Sequence, residues 1–302
     1  MRTFTRRNFL RPLAGIPLLG TFYPFNKDVR QNSESSLKYK LRLSLNAYSF
    51  HRPLTDKKID LFDVLDFCVK YQFDAIDPTG YYFPGYPSAP DSSYIREFKR
   101  KAFLEGIEIS GTGIRNDFAN PDVGSRENDI LLIETWLGVA AQLGAPVLRI
   151  FPGHHPHDGY SREEVMGWMV KDIMKCGTLA EQHGVLLAVQ NHNGFLKTAD
   201  DVNQLMSRIP SPWVGQNLDI GSYRQHVPYD EIQKNIHHAI TWQIKENVWI
   251  EGDEIPTDFN RLFRLIKSAG YRGYLPLETL GSGDPFEKVP KLLEQVKSAW
   301  EQ

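Results

Sequence analysis

Sulfur is scarce in this chain, whose 302 residues include 2 cysteines and 5 methionines. Cys68 and Cys176 fall in helix-like stretches, DVLDFCVKYQ and DIMKCGTLAE, and read as buried small hydrophobes. A disulfide-stapled scaffold is excluded, because such scaffolds are dense in cysteine. Net charge is scarce as well: 35 basic against 37 acidic residues leave −2. With no concentrated Lys/Arg stripe in the body, the chain has no electrostatic footprint for nucleic acid. No glycine-rich phosphate loop follows the first strand-like run, where a doubly wound dinucleotide-binding sheet requires one. What the chain has is apolar mass. Hydrophobic residues make up 41% and aromatics 12%, enough for one large core and too much for general disorder.

The first 40 residues differ in character from the rest. Arg6-Arg7-Asn8-Phe9-Leu10 precedes RPLAGIPLLGTFYPF, an apolar stretch with no acidic residue before Asp28 and too short to span a bilayer as a helix. This order of basic pair, Phe-Leu and apolar run resembles a twin-arginine export signal, with a basic disordered tail as the bland alternative. Residues 1–25 are therefore expected to be an export signal and residues 26–40 a polar linker. The product would be exported to the periplasm, with no stable membrane association unless the signal is retained. No small-x-small cleavage site stands out, and neither cysteine is placed to carry a lipid anchor there.

From Leu41 onward, short apolar runs alternate with amphipathic segments of helical period. The runs are LRLSLNAYS, FDAID, IEISGTG, PVLRIF, VLLAVQ, WVGQNLD, AITWQIK and GYLPLE. Glycines 106, 144, 184 and 270 recur between a helical segment and the next strand, and Thr198 is placed to cap the helix of TADDVNQLMSRI. Eight strands alternating with helices over residues 41–302 predict a single α/β domain, a (β/α)8 barrel. Active sites of such barrels lie at the C-terminal ends of the strands. Attention therefore falls on Gln190, Asp219, Gln243 and Glu278, each ending an apolar run. Two carboxylates and two amides would face one centre.

The motifs at these strand ends are Gln190-Asn191-His192, Asp219-Ile220-Gly221, Gln243-Ile244-Lys245-Glu246, and Gly270-Tyr271-Arg272-Gly273 followed by Glu278. In order and placement they resemble the xylose-isomerase-like barrels of the sugar phosphate isomerase/epimerase type, from about Leu41 to the C-terminus. The resemblance implies a divalent metal, Mg or Mn, at Gln190, Asp219, Gln243 and Glu278, with two glutamates moving a proton beside a sugar carbonyl. Two residues depart from that pattern. Gln190 stands where the family has a glutamate that is both ligand and base, and Gln243 where it has a histidine.

An amide oxygen can ligate a hard cation, so two carboxylates and two amides form a weak all-oxygen set. Alternatively the amides hydrogen-bond sugar hydroxyls and no metal binds. Gln190 cannot act as a base, because an amide has no useful basicity near neutral pH. Glu278 is then the expected base, with His192 or Lys245 as the second proton carrier. His192 shares a strand face with Gln190, and Lys245 with Gln243. His192 reads equally well as support beneath the site.

Arg149, Asn46, Asp77, His154 and Arg224 are the expected substrate contacts, with Tyr48, Tyr81 and Asn116 as lesser ones. His154, His155 and His157 crowd one loop, whose flanking prolines favour a substrate-lining role over a metal site. The partner expected from all this is a small carbohydrate, and no nucleic acid. The expected activity is that of a sugar isomerase or epimerase. Its rivals are a lyase or hydrolase of oxidised 3-keto glycosides and a non-catalytic sugar-binding barrel.

Overall fold

The computed structural model describes residues 40–154, 158–192 and 194–302. The expected export signal and residues 26–39 of the linker lie outside the described residues, as do His155 and His157.

The apolar runs form the parallel strands β1 (Leu43–Asn46), β2 (Ala75–Asp77), β3 (Glu108–Ile109), β4 (Thr112–Gly113), β5 (Val147–Ile150), β6 (Leu186–Gln190), β7 (Val214–Asp219), β8 (Ala239–Lys245) and, last in the chain, β11 (Leu275–Glu278). Their order in the sheet is β3-β2-β1-β11-β8-β7-β6-β5-β4. Since β3 and β4 are consecutive and separated only by Ser110-Gly111, they are two halves of one stave. The lower half pairs with β2 and the upper half with β5. This split stave completes an eight-stave α/β barrel, the architecture the alternation predicts.

The staves are buried on both faces, and alternate residues go to opposite layers. In β8, Trp242 and Ile244 are fully buried and join the apolar core, while Thr241, Gln243 and Lys245 occupy the alternate positions. Large side chains such as Trp136, Phe98 and Phe263 fill the space around the sheet. Each contributes roughly 1.5–3 kcal/mol by leaving water.

The surrounding helices begin and end on chemistry the sequence shows. Ser161 caps the helix Arg162–His183 and Glu164 returns the bond, a capping box. Thr198 and Asp201 do the same for the helix Ala199–Met206. The long helix Val123–Leu143 and the helix Arg162–His183 stop at Gly144 and Gly184, both left-handed, from which the chain turns into β5 and β6.

Two features break the regular rhythm. An antiparallel hairpin, β9 (Asn247–Ile250) and β10 (Asp253–Pro256), follows β8 before the next helix. Between β7 and β8 the register slips: Gln216 pairs with Ala239 but Asn217 with Thr241, leaving Ile240 as an extra residue. That bulge sets Gln243 opposite Asp219, and β8 then aligns Lys245 with Glu278 on β11. Among the described residues, no helix is long and apolar enough to cross a membrane.

Candidate active site

Gln190, Asp219, Gln243 and Glu278 converge, and Lys245 joins them. The strand ends bring these five into one cleft of about 360 Å³, which is also lined by Tyr48, Tyr81, Arg115, Arg149, His154 and His192. The Lys245 ammonium lies between the two carboxylates, 2.9 Å from Asp219 Oδ2 and 3.0 Å from Glu278 Oε2. Burial works against its charge, but Asp219 and Glu278 outweigh that and hold its pKa above the ordinary lysine value. Asp219 likewise stays ionised: burial pushes its pKa up, and Lys245 brings it below the ordinary range.

The amides are oriented by their neighbours. Arg149, a donor only, reaches Gln190 Oε1 at 3.3 Å, so the amide nitrogen must face the other way. Gln190 Nε2 donates to Asp219 Oδ2 at 2.8 Å and to Gln243 Oε1 at 2.5 Å. Gln243 Oε1 also accepts from Asn217 at 3.3 Å, and its Nε2 donates to Glu278 Oε1 at 3.1 Å. A closed circuit therefore links four strands.

The two carboxylates are unequal within it. Asp219 accepts from Gln190 and Lys245, from Ser222 Oγ at 2.9 Å, and from the Gly221 amide at 3.0 Å. Three of these donors converge on Oδ2 and one on Oδ1, so the carboxylate is held from several sides. Glu278 accepts only from Gln243 and Lys245 and keeps unused lone pairs. Asn191 clamps the end of β7: its Oδ1 accepts from the Asp219 amide at 2.8 Å and its Nδ2 donates to the Asp219 carbonyl at 2.9 Å.

Among the described residues, no group of three or more His, Cys, Asp or Glu is arranged to hold a metal ion. The quartet expected to do so does not fit one. Asp219 Oδ2 takes three donors, one of them the Lys245 ammonium, the Gln243 oxygen takes two, and the Gln190 oxygen is turned to Arg149. A metal between Asp219 and Glu278 would also meet the Lys245 ammonium, which already bridges them.

Arg149 is almost fully buried, and room for it comes from the neighbouring stave. A Cβ on Gly113 would collide with the guanidinium, which also contacts the Tyr81 hydroxyl at 3.4 Å. Burial opposes its charge; Tyr81 and Asp77 outweigh that and keep it protonated. His192 stacks edge-on against Phe151, and burial pushes its pKa below the ordinary histidine value, leaving a neutral imidazole at the cleft wall. His154 lines the cleft opening and donates its backbone N–H to Asp117.

Three expected substrate contacts sit elsewhere. Asn46 and Asp77 are buried and face each other at 3.4 Å without lining the cleft, because Asn46 is turned back to cap the short helical turn at residues 47–50. Asp77 leaves its Oδ1 without a partner, and burial raises its pKa to about 6. Arg224 is exposed and stacks over Trp249 of the β9–β10 hairpin, its guanidinium 4.3 Å from the ring centre. Its place after the Asp219-Ile220-Gly221 motif does not bring it into the cleft, and the hairpin offers an aromatic face instead. Arg115 and Phe151 line the cleft without having been expected to. Both lie within two residues of a strand end, and that position was the available signal.

An α/β barrel with polar strand ends gathered in a single cleft defines the structural class. The chain belongs to the xylose isomerase-like TIM barrel family, whose pattern residues 65–299 match. No curated protein matches it in sequence. Among solved structures it is similar to D-psicose 3-epimerase with D-tagatose from Clostridium cellulolyticum H10, with a TM-score of 0.72 at 14% identity, covering 86% of this chain and 99% of that one. It is also similar to 3-keto-D-glucoside 4-epimerase from E. coli, with a TM-score of 0.68 at 14% identity, covering 86% and 100%. A third is the probable 3-DHS dehydratase of Bacillus anthracis, with a TM-score of 0.66 at 17% identity, covering 85% and 99%. At these identities the likeness establishes the fold alone.

Proposed function

We propose that the chain is a carbohydrate-active enzyme of the isomerase/epimerase type, moving a proton on a carbon beside a sugar carbonyl. The observation that carries this reading is the inequality of the two carboxylates. Asp219 is held by four donors, whereas Glu278 takes two and lines the cleft with lone pairs to spare, as a general base requires.

The charges around Glu278 suit the oxyanion that proton removal creates. Lys245 uses two of its three N–H donors on carboxylates and lines the cleft with the third. Arg149 stands on the opposite side of Gln190, permanently charged. Such fixed donors stabilise developing negative charge at no cost in reorganisation. The proton Glu278 takes up returns to the carbon from Glu278 itself or, on the other face, from His192 at the cleft wall once His192 has taken a proton from solvent and Glu278 has released its own. Tyr48 and Tyr81 offer ring surfaces against which a sugar packs.

The test is hydrogen exchange. Keto sugars incubated with the protein in D2O are expected to take up deuterium at the carbon next to the carbonyl, read by mass spectrometry or proton NMR. Absence of exchange across a panel of ketohexoses and 3-keto glycosides would remove the proposal and leave the sugar-binding reading. One observation favours elimination as a second reading. The cleft shares Tyr48 and Leu280 with a groove of about 500 Å³, and Tyr81 and Arg115 with another of about 870 Å³. A second ring, and hence a leaving group, has somewhere to sit. Release of the aglycone from a 3-keto glycoside would identify that reaction; exchange without release would identify isomerisation or epimerisation.

A further inference from the structure

We infer that the Lys245 ammonium is the resident cation of this site, built into the chain in place of a divalent metal. Three independent features support it. The ammonium bridges Asp219 and Glu278 at 2.9 and 3.0 Å, the distances of charge-assisted hydrogen bonds. Its side chain is only 13% exposed, so the pairing is screened little by solvent or salt. The remaining polar groups are also turned to suit a cation that donates and accepts nothing. The Gln190 and Gln243 oxygens are taken by Arg149 and Asn217, and their N–H groups face Asp219 and Glu278.

The backbone makes room for the lysine stem as well. An ideal Cβ on Gly221 would lie 2.8 Å from Lys245 Cδ, so a side chain at 221 would push the stem aside. The same glycine's amide donates to Asp219 Oδ1, fixing the carboxylate whose Oδ2 meets the ammonium. The two departures from the family pattern then have one explanation. A glutamate at 190 and a histidine at 243 would serve a metal; beside an ammonium they would add a buried negative charge and a competing base. Two glutamines leave Asp219 and Glu278 against one Lys245, with Arg149 as the second cation.

The inference concerns metal affinity and holds whether or not the proposed reaction does, because its readout is binding and stability. Protein treated with EDTA is titrated with Mn²⁺ in parallel as wild type, Lys245→Ala and Lys245→Gln, following free Mn²⁺ by EPR and thermal midpoints by calorimetry. Wild type is expected to bind no stoichiometric Mn²⁺ and to keep its midpoint in EDTA. Lys245→Ala exposes two uncompensated buried carboxylates and is expected to melt about 10 °C lower, with Mn²⁺ restoring part of the loss. Lys245→Gln, which can still donate to a carboxylate, covers the case in which the alanine variant does not fold, and it should show the same direction of rescue. One equivalent of Mn²⁺ bound to wild type with Kd below about 100 µM would overturn the inference. So would variants that fold without gaining metal affinity and melt where wild type melts.

Discussion

Asp219 and Glu278 leave their strands as chemically similar acids, and their neighbours assign them different work. Four donors hold Asp219, two hold Glu278. Glu278→Gln is therefore expected to preserve the fold and reduce deuterium exchange by about 10²–10⁴-fold, the usual cost of losing a general base. Asp219→Asn should behave in the opposite sense, lowering the unfolding free energy by about 3 kcal/mol because Lys245, Gln190, Ser222 and the Gly221 amide all lose a charged acceptor. A urea titration beside the exchange assay separates the two. Equal losses of stability would refute the division of labour. At this scale the sequence was informative about position and silent about partnership. Strand-end placement identified Gln190, Asp219, Gln243 and Glu278, and period-2 alternation put Lys245 beside Gln243. Which atoms an ammonium bridges depends on the neighbouring strands' register, and no single segment encodes that. Arg224 shows the limit: three residues beyond its motif, it turned away to an aromatic ring.

At the scale of the element, all eight staves were legible, since each is an apolar run followed by a turn signal. The third was read as one run, IEISGTG, and its division into β3 and β4 was not, because the break lies in pairing partners and leaves little trace in hydropathy. The division has a use. Gly113, in β4, is where the Arg149 guanidinium crosses the neighbouring stave, and a side chain there would meet it. Gly113→Ala is expected to displace Arg149, free the Gln190 amide to turn, and weaken substrate binding while the barrel stays folded. The measurement is KM against kcat for exchange: a tenfold rise in KM corresponds to about 1.4 kcal/mol, while an unchanged KM would place Arg149 outside the substrate's reach. The bulge at Ile240 was equally hidden, being one residue in an otherwise regular apolar strand.

For the molecule as a whole, buried ionisable groups make stability depend on pH, and Asp77 has the clearest sign. Its neighbours are Asn46 from β1, Arg149 from β5 and Glu278 from β11; burial raises its pKa from 3.8 to about 6, with Glu278 adding to the rise and Arg149 opposing it. Between those values the folded protein holds a proton that the unfolded chain releases. The stability contributed by this group is present below about pH 4 and is lost as pH rises through about 6. The loss is on the order of 3 kcal/mol. In Asp77→Asn that pH dependence should vanish, so the stability difference between variant and wild type should drift across pH 4–7. Urea midpoints at several pH values measure the drift, and a constant difference would contradict the burial assigned to Asp77. Lys245 has a consequence at this same scale. A cofactor must be supplied, inserted in the right identity and kept from competitors, whereas a cation on a side chain arrives with translation and is set when the chain folds. It can be neither starved nor swapped for the wrong ion, so the readiness of this site becomes a property of folding alone.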